Sequence, residues 1–214
     1  MFDFSKVGEV SPSLQPAAPS SATPSSGGTP PQRPLIIAVT GPMAAGKNYI
    51  CSQMEKEGWS TVDADILVHD AIEIVKDRIL ETFIPYAEQQ NLKLKKQDGS
   101  IDRRALGQLL FSFPDLLKLQ ESMVYPIITK WIDDFIAEHE KTIINATVLY
   151  KTPELLGRCQ KIIFVTAPFF TRLRRARRRD HLPLTQILRR FHAQRHLLHE
   201  YQKTGISIKI IENK

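Results

Sequence analysis

The chain has 214 residues, 42% of them hydrophobic, which suits one well-buried α/β domain plus a tail. No apolar run approaches the ~20 residues that span a bilayer, and the N-terminus lacks the basic-then-apolar layout of a secretory leader, so a cytoplasmic protein is expected. The formal charge is +6, with much of the basic excess between Arg172 and Arg195; such a local cluster suits a phosphorylated small molecule better than nucleic acid or a membrane surface.

Residues 1–33 are rich in Pro, Ser, Ala, Thr and Gly. Such a composition cannot bury enough apolar surface to offset its ordering entropy, so a disordered tail is expected. A start codon assigned too far upstream would leave the same signature. The folded part begins at Pro34. Leu35 to Val39 is a short apolar run and reads as a buried strand. Gly41-x-x-x-x-Gly46-Lys47 follows, and the chain then continues as a helix to about Gly58. Trp59 to Val62 reads as a second strand ending in Asp63-Ala64-Asp65. Ile66 to about Phe83 is one amphipathic stretch, and the polar, lysine-rich Asn91 to Ser100 is a loop. Asp98 to Arg103 leads into another helical stretch, interrupted at Pro114. A longer helix is expected from about Asp115 to His139, kinked or broken by Pro126. Ile143 to Tyr150 and Lys161 to Val165 are strand-like. Thr171 to Arg179 is a basic helix, 180–183 a break, Leu184 to Tyr201 a further helix, and Ile206 to Ile211 a last strand. Strands alternating with helices imply a parallel sheet covered on both faces.

Strand, glycine-bounded turn and helix are together the context of a phosphate loop. Gly41, Pro42, Met43, Ala44, Ala45, Gly46, Lys47, Asn48 and Tyr49 are the candidate nucleotide-binding residues. The glycines let backbone N–H groups approach phosphate oxygens, and the helix start favours the anion. Asn48 stands where a Ser or Thr would ligate magnesium; its amide oxygen can ligate a hard cation or hold a bound water. Asp63 and Asp65 lie at the carboxyl end of a strand, where open α/β sheets bind ligands. One can take or orient an acceptor hydroxyl's proton and the other can help hold magnesium, although either could simply cap the next helix. His69 follows Asp65 by one helical turn and can face an acceptor or sit on the surface. Arg175 and Arg179, four residues apart on one helix face, can neutralise a transferring phosphoryl group in a mobile lid. Cys51 and Cys159 have no metal-like spacing and read as free thiols.

The ordered elements IIAVTGPMAAGKN, STVDADILVHDAI, DGSIDRRALGQLLF, LQESMVYPII, INATVLYK, IIFVTAPFFTRLRRARRRD, ILRRFHAQ and IKIIEN resemble the dephospho-CoA kinase family from about Leu35 to Asn213. The resemblance implies a P-loop NTPase fold of the nucleoside-monophosphate-kinase type, with a parallel five-stranded sheet, a helical acceptor domain over about 66–140 and a lid over about 172–190. It implies transfer of the ATP γ-phosphate, with Mg2+, to the 3′-hydroxyl of dephospho-CoA. Asp65 would be the general base and Lys47 would hold the phosphates. Asp102, Arg103 and the helix around Tyr125 would lie on the acceptor side. Three departures stand out: Asn48-Tyr49 in place of Ser-Thr, Tyr125-Pro126 in place of His-Pro, and Thr152 to Gly157 without Pro-Leu-Leu-x-Glu. The rivals are a P-loop kinase for another small hydroxyl acceptor, a nucleotide-binding module impaired by Asn48, and nucleic-acid binding through the arginines.

Overall fold

The computed structural model describes residues 34–180 and 182–214; the expected disordered tail, and His181 within the expected break, lie outside them. Five strands form one parallel sheet: β1 (Leu35–Thr40), β2 (Ser60–Asp63), β3 (Lys141–Asn145), β4 (Lys161–Thr166) and β5 (Ile208–Glu212), in the order β2-β3-β1-β4-β5. From the end of β1 the chain crosses to β2 on one side, while β4 flanks β1 on the other. The carboxyl end of β1 is therefore a switch point, where a crevice opens. This is the P-loop fold of the nucleoside-monophosphate-kinase type.

Side chains of β1 alternate between two cores. Ile37 and Val39 join Ile50, Cys51 and Met54 of α1 (Lys47–Glu55), whereas Ile36 and Ala38 join the larger core made with the other helices. A strand buried on both faces reads as an unbroken apolar run, which explains the legibility of Leu35 to Val39. The larger core carries α2 (Ala64–Ile74), α3 (Lys76–Gln89), α4 (Arg103–Ser112) and α5 (Pro114–Glu138). The single amphipathic stretch expected from Ile66 to about Phe83 is thus two helices, hinged at Val75, which ends one and starts the next.

Pro126 does not break α5, which runs unbroken for 25 residues. Val124, Ile128, Ile132 and Ile136 are all buried, and burying a core-facing side chain stabilises by about 1.5–3 kcal/mol. Several such residues on one face outweigh the single backbone bond that proline removes.

After β3 the chain leaves the sheet at Asn145 and forms a one-turn helix at Leu149–Lys151, so the strand is shorter than the expected Ile143 to Tyr150. After a four-residue α6 (Pro153–Leu156) and β4 come α7 (Phe169–Asp180), α8 (Leu184–Ala193) and α9 (Leu197–Gln202). The helix expected from Leu184 to Tyr201 is therefore two. Met43 from the loop after β1 is buried in a small separate cluster with Ala176, Ile187 and Phe191 of α7 and α8. Among the described residues no helix is long and apolar enough to cross a membrane.

Candidate active site

The loop between β1 and α1 depends on its two glycines. Gly41 has φ 146° and Gly46 φ 97°, where side chains are strained. A Cβ at Gly41 would lie 2.0 Å from the Val165 carbonyl oxygen, and one at Gly46 would lie 1.9 Å from Asn213 Nδ2. Ala44 is left-handed as well, at φ 61°, and the rest of the site holds it there. The Met43 peptide is gripped at both ends. Its N–H donates to Gln194 Oε1 (2.7 Å), and its carbonyl accepts from Arg172 Nε (3.0 Å). The Ala45 carbonyl accepts from Asn213 Nδ2 (3.0 Å) and Arg175 Nη1 (3.4 Å). Helix α1 then starts with no side-chain cap at Gly46. Its first-turn N–H groups and the positive end of its dipole are available to an anion.

Lys47 Nζ donates to the Gly41 carbonyl (3.3 Å) and to Thr147 Oγ1 (3.0 Å). The Thr147 hydroxyl donates in turn to Asp65 Oδ2 (2.9 Å). One neutral hydroxyl therefore links the phosphate-loop lysine to the second acid of Asp63-Ala64-Asp65. The Thr147 carbonyl is fixed by the Thr40 hydroxyl and the phenol of buried Tyr201, each at 3.2 Å. Burial pushes the Lys47 ammonium below its usual pKa, and the nearby Asp65 and Asp63 charges oppose that shift.

Asp63 and Asp65 divide the two readings of the acidic pair. Asp63 Oδ1 caps α2, accepting from the N–H groups of Asp65 (3.0 Å) and Ile66 (3.2 Å). Its Oδ2 accepts from Asn145 Nδ2 (2.8 Å), which also donates to Asn48 Oδ1 (3.0 Å). Burial raises the Asp63 pKa, against the backbone hydrogen bonds that lower it. Asp65, by contrast, is exposed within the helix's first turn and turned toward Thr147. Asn48, Asp63 and Asn145 bring carboxylate and amide oxygens together, and Asn145 Oδ1 is buried without a hydrogen-bond partner. Such a hard-oxygen set fits magnesium, which takes few protein ligands and keeps waters and phosphate oxygens. The described residues hold no cluster of three or more His, Cys, Asp or Glu suited to an all-protein metal cage.

Two spaces flank this line of residues. A cavity of about 480 Å3 is lined by Ala44, Gly46, Lys47, Asn48, Arg175, Arg178 and Arg179, so the arginine helix faces the phosphate loop as its spacing predicts. It is continued by a recess bounded by Tyr49, Arg175, Asn213 and Lys214. On the other side a small apolar cavity of about 60 Å3 joins Asp65 to Val68, Tyr125, Ile128 and Leu149. Tyr125 donates to Glu121 (3.0 Å), which also pairs with Lys151 (2.9 Å). The remaining expected acceptor residues are not gathered here. His69 is exposed further along α2, Asp102 caps α4 through the N–H groups of Arg104 and Ala105, and Arg103 reaches Glu73 at 3.9 Å.

Sequence reasoning held Asn145, Thr147, Arg172, Arg178, Gln194 and Asn213 only as parts of longer motifs and singled out none of them as a site residue. Asn145 and Thr147 did carry a signal, since polar residues that end an apolar strand lie where ligands bind. Gln194 and Asn213 carried none, because they act on the loop from 151 and 168 residues away.

The dephospho-CoA kinase family model matches residues 35–214. The dephospho-CoA kinase of Treponema denticola is 33% identical over 189 residues, covering 86% of this chain and 84% of its own. That of Treponema pallidum is 34% identical over 165 residues, covering 75% and 78%. Among solved structures, TT1252 from Thermus thermophilus superposes with a TM-score of 0.70 at 26% identity, covering 85% of this chain and 90% of its own.

Proposed function

Because the chain belongs to the dephospho-CoA kinase family, and so has its kinase activity, we propose that it moves the γ-phosphoryl group of ATP to the ribose 3′-hydroxyl of dephospho-CoA through the residues around Thr147. The hydrogen-bonded line Lys47–Thr147–Asp65 supports this reading. A hydroxyl acceptor needs a carboxylate beside the phosphoryl group to take its proton, and this line sets one next to the phosphate lysine.

In this reading the backbone of 41–48, the start of α1 and Lys47 hold the β- and γ-phosphates. Arg175, Arg178 and Arg179 close over them, and the adenosine lies toward Tyr49, Asn213 and Lys214. The acceptor enters from the Tyr125 side, toward Asp65. Asp65 takes the 3′-hydroxyl proton as that oxygen bonds to the γ-phosphorus, and the bond to the β-phosphate oxygen breaks to leave ADP. Thr147 keeps Asp65 aimed and separates it from the Lys47 ammonium, so the two do not collapse into a direct ion pair. Asn48, directly or through water, and Asp63 would hold Mg2+, which neutralises phosphate charge. The protein's share of catalysis is mostly positioning and charge stabilisation.

The test is turnover with ATP, magnesium and a panel of hydroxyl acceptors. Coenzyme A should form from dephospho-CoA, and Asp65→Asn should lower kcat by about 10²–10⁴ while ATP still binds. Turnover of a different acceptor, or full activity in Asp65→Asn, would overturn the assignment.

A further inference from the structure

A second large cavity, of about 540 Å3, opens between α7 and α8 on the Pro42 side of the phosphate loop. Its polar lining is Thr166, Arg172, His192, Gln194 and Arg195, and Phe169 and Phe191 form part of its apolar wall. Among the described residues no carboxylate lines it and neither arginine is in an ion pair. Arg172 lies over the Phe191 ring, 4.1 Å from its centroid, and its Nη2 is buried with no hydrogen-bond partner. Arg195 donates from Nε to His196 Nε2 (2.7 Å) and makes a 2.8 Å contact from Nη1 to His192 Nε2. Two guanidiniums, half-buried Arg172 and exposed Arg195, thus line one space. Holding the half-buried Arg172 guanidinium away from water without an opposite charge is costly, and a guanidinium is shaped for bidentate contact with phosphate oxygens.

We propose that this cavity is a phosphate-ester subsite, taking a diphosphate or phosphate group between Arg172 and Arg195. It is separate from the cavity over Lys47 and Asn48 that suits the ATP phosphates. Its position favours the acceptor's own diphosphate as the source, because α8 borders the acceptor side: Arg189 of α8 lies over the Phe111 ring of α4, at 5.8 Å. That identification rests on the proposed reaction, whereas anion binding by the cavity does not. An occupant would also bear on the phosphate loop, since Arg172 and Gln194 hold the Met43 peptide.

The probe is inorganic pyrophosphate, titrated calorimetrically into protein whose phosphate loop is already filled with a non-hydrolysable ATP analogue and magnesium. Wild-type protein should bind it, and Arg195→Ala should weaken it about tenfold or more, the usual effect of losing a charge-assisted hydrogen bond. Arg195→Lys should fall between the two. Arg195 is the position to vary because Arg172 also supports the loop. In kinetics, Arg195→Ala should raise the KM for dephospho-CoA by a similar factor, with the KM for ATP changing less than about twofold. Inhibition by pyrophosphate that is competitive with dephospho-CoA identifies the acceptor's diphosphate as the occupant. Inhibition or activation competitive with neither substrate identifies a separate phosphate-bearing effector, and the subsite stands. Absence of pyrophosphate binding to the filled wild-type protein, or unchanged affinity in Arg195→Ala with an unchanged melting temperature, overturns it. If Arg195→Ala does not fold, inhibition competitive with ATP alone overturns it in the wild type. Failure of dephospho-CoA turnover would count against the reaction and leave the calorimetric result intact.

Discussion

Thr147 stands between an ammonium and a carboxylate that would otherwise meet. Its hydroxyl accepts from Lys47 and donates to Asp65, so each charged group is oriented without being neutralised by the other. Thr147→Val keeps the shape and removes both bonds. The expected result is a kcat lowered about 10–100-fold with a small change in ATP affinity, as fits a few kcal/mol of lost transition-state orientation; steady-state kinetics with both substrates checks this. Asn48 makes a different prediction. Its amide oxygen accepts from Asn145, which also donates to Asp63, so Asn48→Ser removes one of two acceptors and should leave the fold intact. Restoring a hydroxyl at the position proposed to hold magnesium should keep or raise activity at low magnesium, read as the magnesium concentration giving half-maximal rate. A large loss would show that the amide has its own role in holding the cation.

At the scale of elements, helix starts in this protein carry both function and stability. Helix α1 begins at Gly46 with no side-chain cap, leaving its first N–H groups open to an anion, whereas α2 and α4 begin at aspartates that satisfy theirs. Backbone donation from Ala105, and then from Arg104, holds the Asp102 carboxyl below its ordinary value of 3.8. A carboxylate with a depressed folded-state pKa stabilises above its unfolded pKa, and the contribution is lost as pH falls through the folded value. Asp102→Ala should therefore lower stability to denaturant at neutral pH, and the gap to wild type should narrow as pH falls below 3.8. Denaturant unfolding at several pH values measures that gap. Helices α7 and α8 reach the loop differently. Buried Met43 packs with Ala176, Ile187 and Phe191, which ties α7 and α8 to the loop by packing as well as by Gln194 and Arg172.

Across the whole molecule, the two cores on either face of the sheet enclose the cysteines. Burial pushes the Cys51 thiol up to about 12, with the Glu55 and Asp63 charges adding to the shift, and burial alone does the same for Cys159. Near pH 8 only about one thiol in ten thousand would be ionised, and the thiolate is the reactive form. Neither cysteine should react with an aromatic disulfide reagent in the native protein, and both should react after unfolding. Absorbance of the released thiolate in native and denatured samples reads this out, and fast native labelling would mean that one face of the sheet opens readily.

The elements most legible in the sequence were those whose signal is local. Leu35 to Val39 shows a strand because both its faces are buried. The glycine spacing shows a phosphate loop because a Cβ at Gly41 would collide with the Val165 carbonyl and one at Gly46 with the Asn213 amide. The arginines of α7 show a charged face because helical spacing alone sets which of them align. What only the tertiary structure decided depended on packing or on residues far apart in the chain. Pro126 lies within an unbroken helix because the buried face of α5 outweighs one missing hydrogen bond. Asp63 and Asp65, alike by sequence, divided into a helix cap and an open carboxylate according to where Thr147 and Asn145 arrive from β3. The grip of Gln194 and Asn213 on the loop spans more than 150 residues, and no spacing rule reaches so far. Sequence alone marked Gly41 to Asn48 as the loop suited to phosphate, from its glycine spacing between a strand and a helix. Folding decided which acid faces the lysine across a single hydroxyl, because hydrogen bonds need the convergence of strands that only the sheet supplies.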